Sequence, residues 1–287
     1  MRATAPVALT IAGSDSSGGA GIQADLKTFS ALGVYGASAI TAITAQNTQR
    51  VSEVFELTPE LVAAQIDAVV SDLDVAATKT GMLANAAIIA AVAASVKRHG
   101  LRPLVVDPVM VAKSGDQLLR QDAVDALREL LVPLCTVLTP NLPEAEVLLG
   151  RAIMTWEDVR TGAQDLVAMG AQSVVMKGGH SLPGVDPTAP VTDLFFDGTD
   201  LHEFSAARVD TQSTHGTGCT FASAIAAGLA RGETPRGAVA MAKAYVTKAL
   251  QSAYPVGHGH GPVHHFFRFW QPTRREGTRN REQGTRA

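Results

Sequence analysis

Residues 7–21 read VALTIAGSDSSGGAG, an unbroken apolar run that turns abruptly into a loop of serines and glycines. Residues 7–12 predict a buried strand that ends at Gly13-Ser14-Asp15, and residues 20–32 predict a helix. A strand without polar alternation, followed by a glycine loop and a helix, is typical of a parallel sheet whose two faces are covered by helices. This stretch therefore indicates an α/β fold.

The same alternation continues along the chain. Apolar strands are predicted at residues 38–45, 76–79, 104–106, 136–138 and 173–176, and residues 191–196 and 201–204 read as a hairpin. Helices are predicted at residues 61–70, 84–98, 123–131, 156–169, 217–230 and 235–253. No linker divides them, so we expect one domain over residues 1–271. The polar residues 272–287 read as a disordered tail.

Composition narrows the function classes. The 287 residues are 46% apolar and 18% charged, with a net charge of −3, which excludes global disorder and argues against a nucleic-acid binder or a polybasic membrane-surface protein. Cys135 and Cys219 lie far apart and do not form a disulfide framework or a zinc pair. The N-terminus lacks a signal peptide and no apolar run is long enough for a membrane span, so we expect a cytoplasmic protein.

Polar side chains stand where predicted strands end. Because ligands of open α/β sheets bind outside the carboxyl ends of the strands, these side chains predict a shared active-site edge. They are Asp15, Gln46, Lys79, Asp107, Asn141 and Lys177.

The first glycine loop has two alternatives besides a plain chain reversal. Gly19, Gly21 and Ala24 fit the dinucleotide fingerprint, but no acid follows between Asp25 and Glu53 to bind a ribose hydroxyl. We favour a loop whose glycines let the backbone approach a small planar ligand, with Asp25 facing the same space.

The second glycine loop, residues 214–220, precedes a helix of small residues. Free N–H groups of Gly216, Thr217 and Gly218 at a helix start predict an anion site, although an ordinary glycine-rich helix start is the alternative. Cys219 lies in the first turn, where a thiol pKa is lowered, so it could accept a proton or orient a hydroxyl. The alternative, a small buried apolar residue, suits Cys135 better.

Asn141 and Glu144 lie at another helix start, where they could hold Mg²⁺ through water or simply cap the helix. Beside an anion loop we favour the metal interpretation. Lys177 could neutralise nucleotide phosphate. The histidine-rich residues 258–265 are interpreted as a solvated loop rather than a metal site.

Together these motifs resemble one family, the hydroxymethylpyrimidine/phosphomethylpyrimidine kinases of thiamine biosynthesis, within the ribokinase-like superfamily. The resemblance runs in family order from residue 7 to about residue 255 and is carried by residues 12–29, 44–48, 79–82, 107–110, 139–146, 177–180 and 215–220. It implies a ribokinase-like three-layer α/β/α sandwich with a mostly parallel central sheet, and a homodimer.

The resemblance implies that ATP phosphorylates 4-amino-5-hydroxymethyl-2-methylpyrimidine and then its monophosphate. Gln46 matches the residue that hydrogen-bonds the pyrimidine, and Ala20, Asp25, Met82 and Val109 match positions that line its pocket. Cys219 matches the position where most of the superfamily has an Asp base. The family pattern assigns Asn141, Glu144 and Asp107 to Mg²⁺, and Lys177, Thr217 and Lys243 to ATP.

Two departures from the family pattern are Ser213, where Asn is frequent, and a proline-rich flap at residues 183–190. A pyridoxal or pyridoxine kinase is the nearest alternative, although Gln46 and Cys219 favour the pyrimidine. A non-catalytic pyrimidine-binding regulator is a second alternative, against which the intact Cys219, Asn141, Glu144 and Lys177 argue.

Overall fold

The structure, a computed structural model, describes residues 5–110, 121–179 and 182–272. The described residues form nine strands: β1 (Val7–Asp15), β2 (Tyr35–Gln46), β3 (Val51–Glu56), β4 (Val75–Thr80), β5 (Leu104–Val106), β6 (Val137–Leu138), β7 (Val174–Met176), β8 (Val191–Phe196) and β9 (Leu201–Ala206). All nine lie in one sheet, in the order β3-β2-β1-β4-β5-β6-β7-β8-β9.

The interior of this sheet is parallel. Strands β2, β1, β4, β5, β6 and β7 run in one direction, whereas β3, β8 and β9 are antiparallel to their neighbours. The mostly parallel sheet and the hairpin of β8 and β9 are therefore confirmed. Sequence analysis missed β3, because five of its six residues are exposed and it shows no apolar run.

The helices are α1 (Gly21–Ala31), α2 (Pro59–Val70), α3 (Ala86–His99), α4 (Gln121–Ala126), α5 (Leu142–Leu149), α6 (Trp156–Ala168), α7 (Thr217–Ala230) and α8 (Pro235–Gln251). A π-helical turn, Leu127–Leu131, continues α4. Thr58 caps α2 with Pro59 in its first turn, and Gly100 ends α3 at φ +61°. The boundaries of these two helices lie within two residues of the predicted ones, and both caps are of common types.

Helices cover both faces of the sheet. Leu104 and Val106 of β5 belong to an apolar core shared with α2, α3, α5 and α6, while Val105 points to a second core shared with α1, α7 and α8. Because successive side chains of a strand point to opposite faces, both sides of β5 are buried. The three-layer α/β/α sandwich is confirmed.

Two sequence expectations concern residues that the structure does not describe. The predicted disordered tail falls on residues 273–287, and the motif at residues 177–180 ends with His180. The single-domain organisation remains a prediction. In the described part of the chain, no helix combines the length and the apolar character that crossing a membrane requires.

Candidate active site

The polar residues at the strand ends separate into three clusters along the carboxyl edge of the sheet. Asp15 lies beside His215 and Gln46, Lys79 pairs with Asp25, and Lys177 lies between Asp107 and Glu144. The second glycine loop connects them, because Gly216 packs on the first loop and Gly218 faces Lys177 and Asp107. The predicted edge therefore places the six strand-end residues around one loop.

The Asp15 carboxylate holds the first glycine loop in place. It accepts hydrogen bonds from the backbone N–H groups of Ser17 (2.8 Å), Gly19 (3.1 Å) and Ala20 (2.8 Å). Burial opposes its charge, but the hydrogen bonds from His215 and Ser17 outweigh burial and lower the pKa of Asp15 to about 2. Asp15 is therefore an anion whose hydrogen bonds to the backbone fix the conformation of the first glycine loop.

The two glycine loops are in direct contact. Gly216 has φ +76°, and a side chain there would collide with the carbonyl oxygen of Gly19. A side chain at Gly19 would in turn collide with the ring of His215. Thr220 makes the first helical hydrogen bond, to the carbonyl of Gly216 (2.8 Å). The N–H of Thr217, which was expected to be free, donates to the carbonyl of Thr214 (3.3 Å), so the N–H groups of Gly218 and Cys219 are the ones that the helix leaves available in its first turn. This geometry is suited to an anion.

Cys219 differs from the sequence expectation. The start of a helix was expected to lower its thiol pKa, but burial raises the pKa of Cys219 to about 11, and the positive charge of Lys79 only partly opposes this effect. The negative charges of Asp25 and Asp107 act in the same direction as burial. The expectation of a lowered pKa was wrong, because the loss of solvent outweighs the helix end. At neutral pH Cys219 carries its proton.

Asp25 lies in the floor beneath α7. Its carboxylate is fully buried and accepts hydrogen bonds from Lys79 (2.9 Å), Thr10 (2.6 Å) and Ser223 (2.6 Å). Both of its oxygens are used inside the protein, so its proposed contact with a substrate remains a prediction. Thr10 and Ser223 were not singled out, although a hydroxyl within a helix as apolar as α7 is a signal that could have found Ser223.

Lys177 lies among carboxylates. Its Nζ is 2.9 Å from Asp107 Oδ1 and 3.6 Å from Glu144 Oε2. Burial raises the pKa of Glu144, the charge of Lys177 lowers it, and Asp107 raises it. Two carboxylates that share one lysine, with Asp107 Oδ2 toward Gly218, form an oxygen donor set of the kind that Mg²⁺ prefers.

Asn141 and Glu144 form a capping box at the start of α5. Asn141 Oδ1 accepts from the Glu144 N–H (2.9 Å), and Glu144 Oε2 accepts from the Asn141 N–H (2.7 Å). The capping alternative is confirmed. The metal role remains a prediction, for which the second Glu144 oxygen stays available.

Lys243 supports the turn after β7. Its Nζ is 2.9 Å from Asp193 Oδ2, and the other oxygen of Asp193 accepts the N–H of Gly178 (2.8 Å). Gly178 has to be glycine, since a side chain would collide with the Thr192 carbonyl. Lys243 therefore orders the residue next to Lys177, and its direct contact with ATP remains a prediction.

The predicted substrate side lies at the end of β2. Gln46 is half-buried beside Thr44 and His215, and a small open cleft lies between residues 46–50, His215 and His260. Ala20, Met82 and Val109 are also half-buried. Met82 is held by a hydrogen bond from Thr41 to its carbonyl oxygen (2.6 Å).

The histidine-rich stretch is a solvated loop only in its first part, where His258 and His260 are exposed. His264 and His265 are buried, and His265 lies 3.0 Å from Thr220 Oγ1. The carbonyl of Gly261 accepts the N–H of His215 (3.0 Å), so this stretch supports the second glycine loop. The sequence expectation was wrong for His264 and His265, because their part of the stretch packs against α7 and the loop before it, which are remote in sequence.

Comparison with known proteins agrees with this geometry. The family described as phosphomethylpyrimidine kinase matches residues 15–264. The hydroxymethylpyrimidine/phosphomethylpyrimidine kinase of Rhizobium meliloti (strain 1021) is 56% identical over 268 residues, which cover 92% of this chain and 98% of the relative.

Two solved structures are also similar. An ADP complex of Bacillus subtilis pyridoxal kinase is 41% identical at a TM-score of 0.84, covering 91% of this chain and 98% of its own. A phosphomethylpyrimidine kinase from Clostridium difficile 630 is 42% identical at a TM-score of 0.76, covering 85% and 99%. The chain therefore belongs to the phosphomethylpyrimidine kinase family.

Proposed function

We propose that this protein is an ATP-dependent kinase that phosphorylates 4-amino-5-hydroxymethyl-2-methylpyrimidine and then its monophosphate to the diphosphate, in thiamine biosynthesis. The observation that carries the proposal is the position of the loop at residues 216–219. One side of this loop lies against Lys177 and Asp107. The other side packs on the first glycine loop, where His215 lies beside Gln46. The 56% identity to a kinase of that name supports the same substrate.

In the proposed reaction, the substrate hydroxyl oxygen bonds to the γ-phosphorus of ATP while the bond to ADP breaks, and the hydroxyl proton passes to solvent water. In the second round, a phosphate oxygen of the monophosphate is the nucleophile. The N–H groups of Gly216 and Gly218 bind the transferring phosphoryl group, whose loose transition state needs positioning and charge neutralisation. The protonated Cys219 thiol orients the attacking oxygen.

On the nucleotide side, Lys177 is the cation next to the phosphates of ATP, and Thr217 is a second residue that contacts ATP. Lys243 acts through Asp193 and Gly178, which set the position of Lys177. Asp107, Glu144 and, through water, Asn141 would hold Mg²⁺, which would neutralise phosphate charge. Ala20, Met82 and Val109 line the ring pocket, and Gln46 reads the ring edge.

Pyridoxal is the alternative substrate, because a pyridoxal kinase is 41% identical and shares the fold at a TM-score of 0.84. Purified protein is incubated with ATP and Mg²⁺ and with either the aminopyrimidine or pyridoxal, and both products are followed by mass. We expect the pyrimidine mono- and diphosphates in sequence. Phosphorylation of pyridoxal alone would favour the alternative, and no phosphorylation of either would refute the kinase proposal.

The nucleotide side has its own test. Lys177→Met and Lys243→Met are each expected to raise the KM for ATP by about tenfold. The first removes the cation at the phosphate end, and the second removes the ion pair with Asp193 that orders the turn next to Lys177. Lys248→Met, on the same helix as Lys243 but exposed, is the matched control and should leave this KM unchanged. An unchanged value in Lys177→Met would remove Lys177 from the nucleotide site.

We also propose that the protein acts in the cytoplasm as a homodimer. The hairpin of β2 and β3 supports a second copy as partner, because Ile43 and Phe55 are paired across its strands and are 50% and 66% exposed. Such an apolar patch is typical of an interface. Light scattering should give twice the chain mass for the wild type, and Phe55→Glu should shift the mass toward the monomer. A monomeric wild type would refute the dimer.

A further inference from the structure

The contact between Asp15 and His215 settles where one proton lies. The Asp15 carboxylate already accepts the N–H groups of Ser17, Gly19 and Ala20, and its low pKa keeps it ionised. An ionised carboxylate can only accept hydrogen bonds. His215 Nε2 lies 2.8 Å from Asp15 Oδ2, so this nitrogen carries a proton and donates it.

That proton determines the orientation of the Gln46 side chain. One terminal amide atom of Gln46 lies 3.4 Å from His215 Nε2. Nε2 has one proton, and Asp15 at 2.8 Å accepts most of it. An amide nitrogen at 3.4 Å would set a second donor against this N–H, whereas an amide oxygen can accept a weaker, shared part of it. The two ends of an amide have the same shape, so the hydrogen-bond network decides which is which. The amide oxygen of Gln46 therefore faces His215.

Thr44 completes the network at the other end of the amide. Its hydroxyl lies 2.9 Å from the carbonyl oxygen of Ser14, to which it donates. Its oxygen lies 3.1 Å from the second terminal amide atom of Gln46 and can accept one N–H from it. With the amide nitrogen at this end, every group in the chain from Asp15 to Ser14 has a complementary partner.

A fixed amide presents its remaining N–H and its remaining oxygen lone pair in a defined order. An aminopyrimidine edge has a ring nitrogen that accepts next to an amino group that donates, which is the complement of an amide. Pyridoxal has no amino group beside its ring nitrogen. Reversing the amide would reverse the order of donor and acceptor and lose this complement.

We propose that Asp15 and His215 form a positioning pair that orients the Gln46 carboxamide and so makes the site selective for an aminopyrimidine edge. This inference rests on the proposed function, in which Gln46 reads the ring. Asp15 and His215 act through Gln46, as positioning residues.

Variants at residue 215 test the pair through binding and kinetics. His215→Leu removes the donor, while His215→Gln keeps a nitrogen donor of similar reach. We expect His215→Leu to weaken aminopyrimidine binding, measured by calorimetry, and to raise its KM by about tenfold with a smaller change in kcat. His215→Gln should restore most of the affinity. The preference for aminopyrimidine over pyridoxal should fall in His215→Leu by a similar factor.

A double-variant cycle separates positioning from general support of the loop. If His215 acts through Gln46, the His215→Leu change has no further effect on binding once Gln46→Leu is present. Additive losses, or equal losses for both substrates, would overturn the inference. Nitrogen NMR of the wild-type protein shows directly whether His215 Nε2 carries a proton. An Nε2 without a proton would also overturn the inference.

The experiments distinguish the two proposals. A wild type that phosphorylates neither substrate would refute the proposed function, while the NMR readout would still decide the position of the proton. A wild type that phosphorylates the aminopyrimidine but whose selectivity does not respond to residue 215 would refute only the role of the pair.

Discussion

The Lys79 ammonium lies 2.9 Å from the Asp25 carboxylate, and both side chains are completely buried below the start of α7. Burial alone would lower the pKa of Lys79, but the surrounding groups, with the charge of Asp25 first among them, together outweigh burial and raise it. The pair joins β4 to α1, and through Ser223 it also joins α7. This buried ion pair supports the second glycine loop, to which we assign the phosphate.

Breaking this pair should destabilise the fold. Lys79→Met leaves the Asp25 carboxylate buried without its counter-ion, so we expect the free energy of unfolding in urea to fall by about 3–5 kcal/mol. The double variant Lys79→Met/Asp25→Leu should recover part of the loss, because no charge is left buried.

The exposed pair of Arg98 and Asp67 provides the control. Arg98→Met should leave the free energy of unfolding nearly unchanged, since solvent screens that pair. Equal losses in Lys79→Met and Arg98→Met would contradict the special role of burial.

Gly216→Ala should damage activity beyond its cost in backbone strain. Gly216 and Gly232 both have positive φ, +76° and +86°, so an alanine at either costs about 1–2 kcal/mol of stability. Only at Gly216 does the added carbon collide, with the carbonyl of Gly19. We expect kcat/KM to fall by about hundredfold in Gly216→Ala, because the loop must move.

Gly232→Ala is the matched control for that measurement. No atom lies within 4 Å of the added carbon, so its kcat/KM should stay at the wild-type value. Comparable activity in the two variants would show that contact between the glycine loops is not required.

The thiol of Cys219 should ionise only at a higher pH than an ordinary thiol. An ordinary thiol has a pKa of about 8.5, so its thiolate fraction stops growing well below pH 11. The thiolate fraction of Cys219, with a pKa of about 11, still grows about tenfold per pH unit in that range. In a Cys135→Ala background, the rate of alkylation by iodoacetamide should therefore keep rising from pH 7 to pH 10. A rate that levels off above about pH 9.5, as in a small peptide thiol with a pKa of about 8.5 measured alongside, would contradict the raised pKa.

His265 should make the protein sensitive to mild acid. Burial lowers its pKa to about 3, with the charges of Lys27 and His264 acting in the same direction. Between this value and the unfolded pKa of about 6.5, the unfolded chain binds a proton that the folded protein does not. Stability therefore falls by up to about 1.4 kcal/mol per pH unit as the pH drops below 6.5.

Denaturant unfolding at pH 7 and pH 4.5 measures this effect. In His265→Asn the loss between the two pH values should be smaller than in the wild type, whatever the variant's stability at pH 7. Identical losses would mean that another group is responsible.

Local sequence patterns determined much of this protein. The apolar run of β1, the glycine loop and the helix after it, and the same order at later strands, predicted a parallel sheet with helices on both faces, because burial on two faces needs continuous apolar strands. The same logic placed Gln46, Asp107 and Lys177 at one edge and predicted an anion loop at Gly216–Gly218.

Only the tertiary structure decided how those residues are paired and charged. Asp15 and His215 are 200 positions apart, and Lys79 and Asp25 are 54 apart, so no local pattern could reveal either contact. The pKa of Cys219 depends on how much solvent the surrounding layers remove, which outweighs the helix end visible in the sequence. The burial of His264 and His265 likewise depends on surfaces that exist only once the chain has folded.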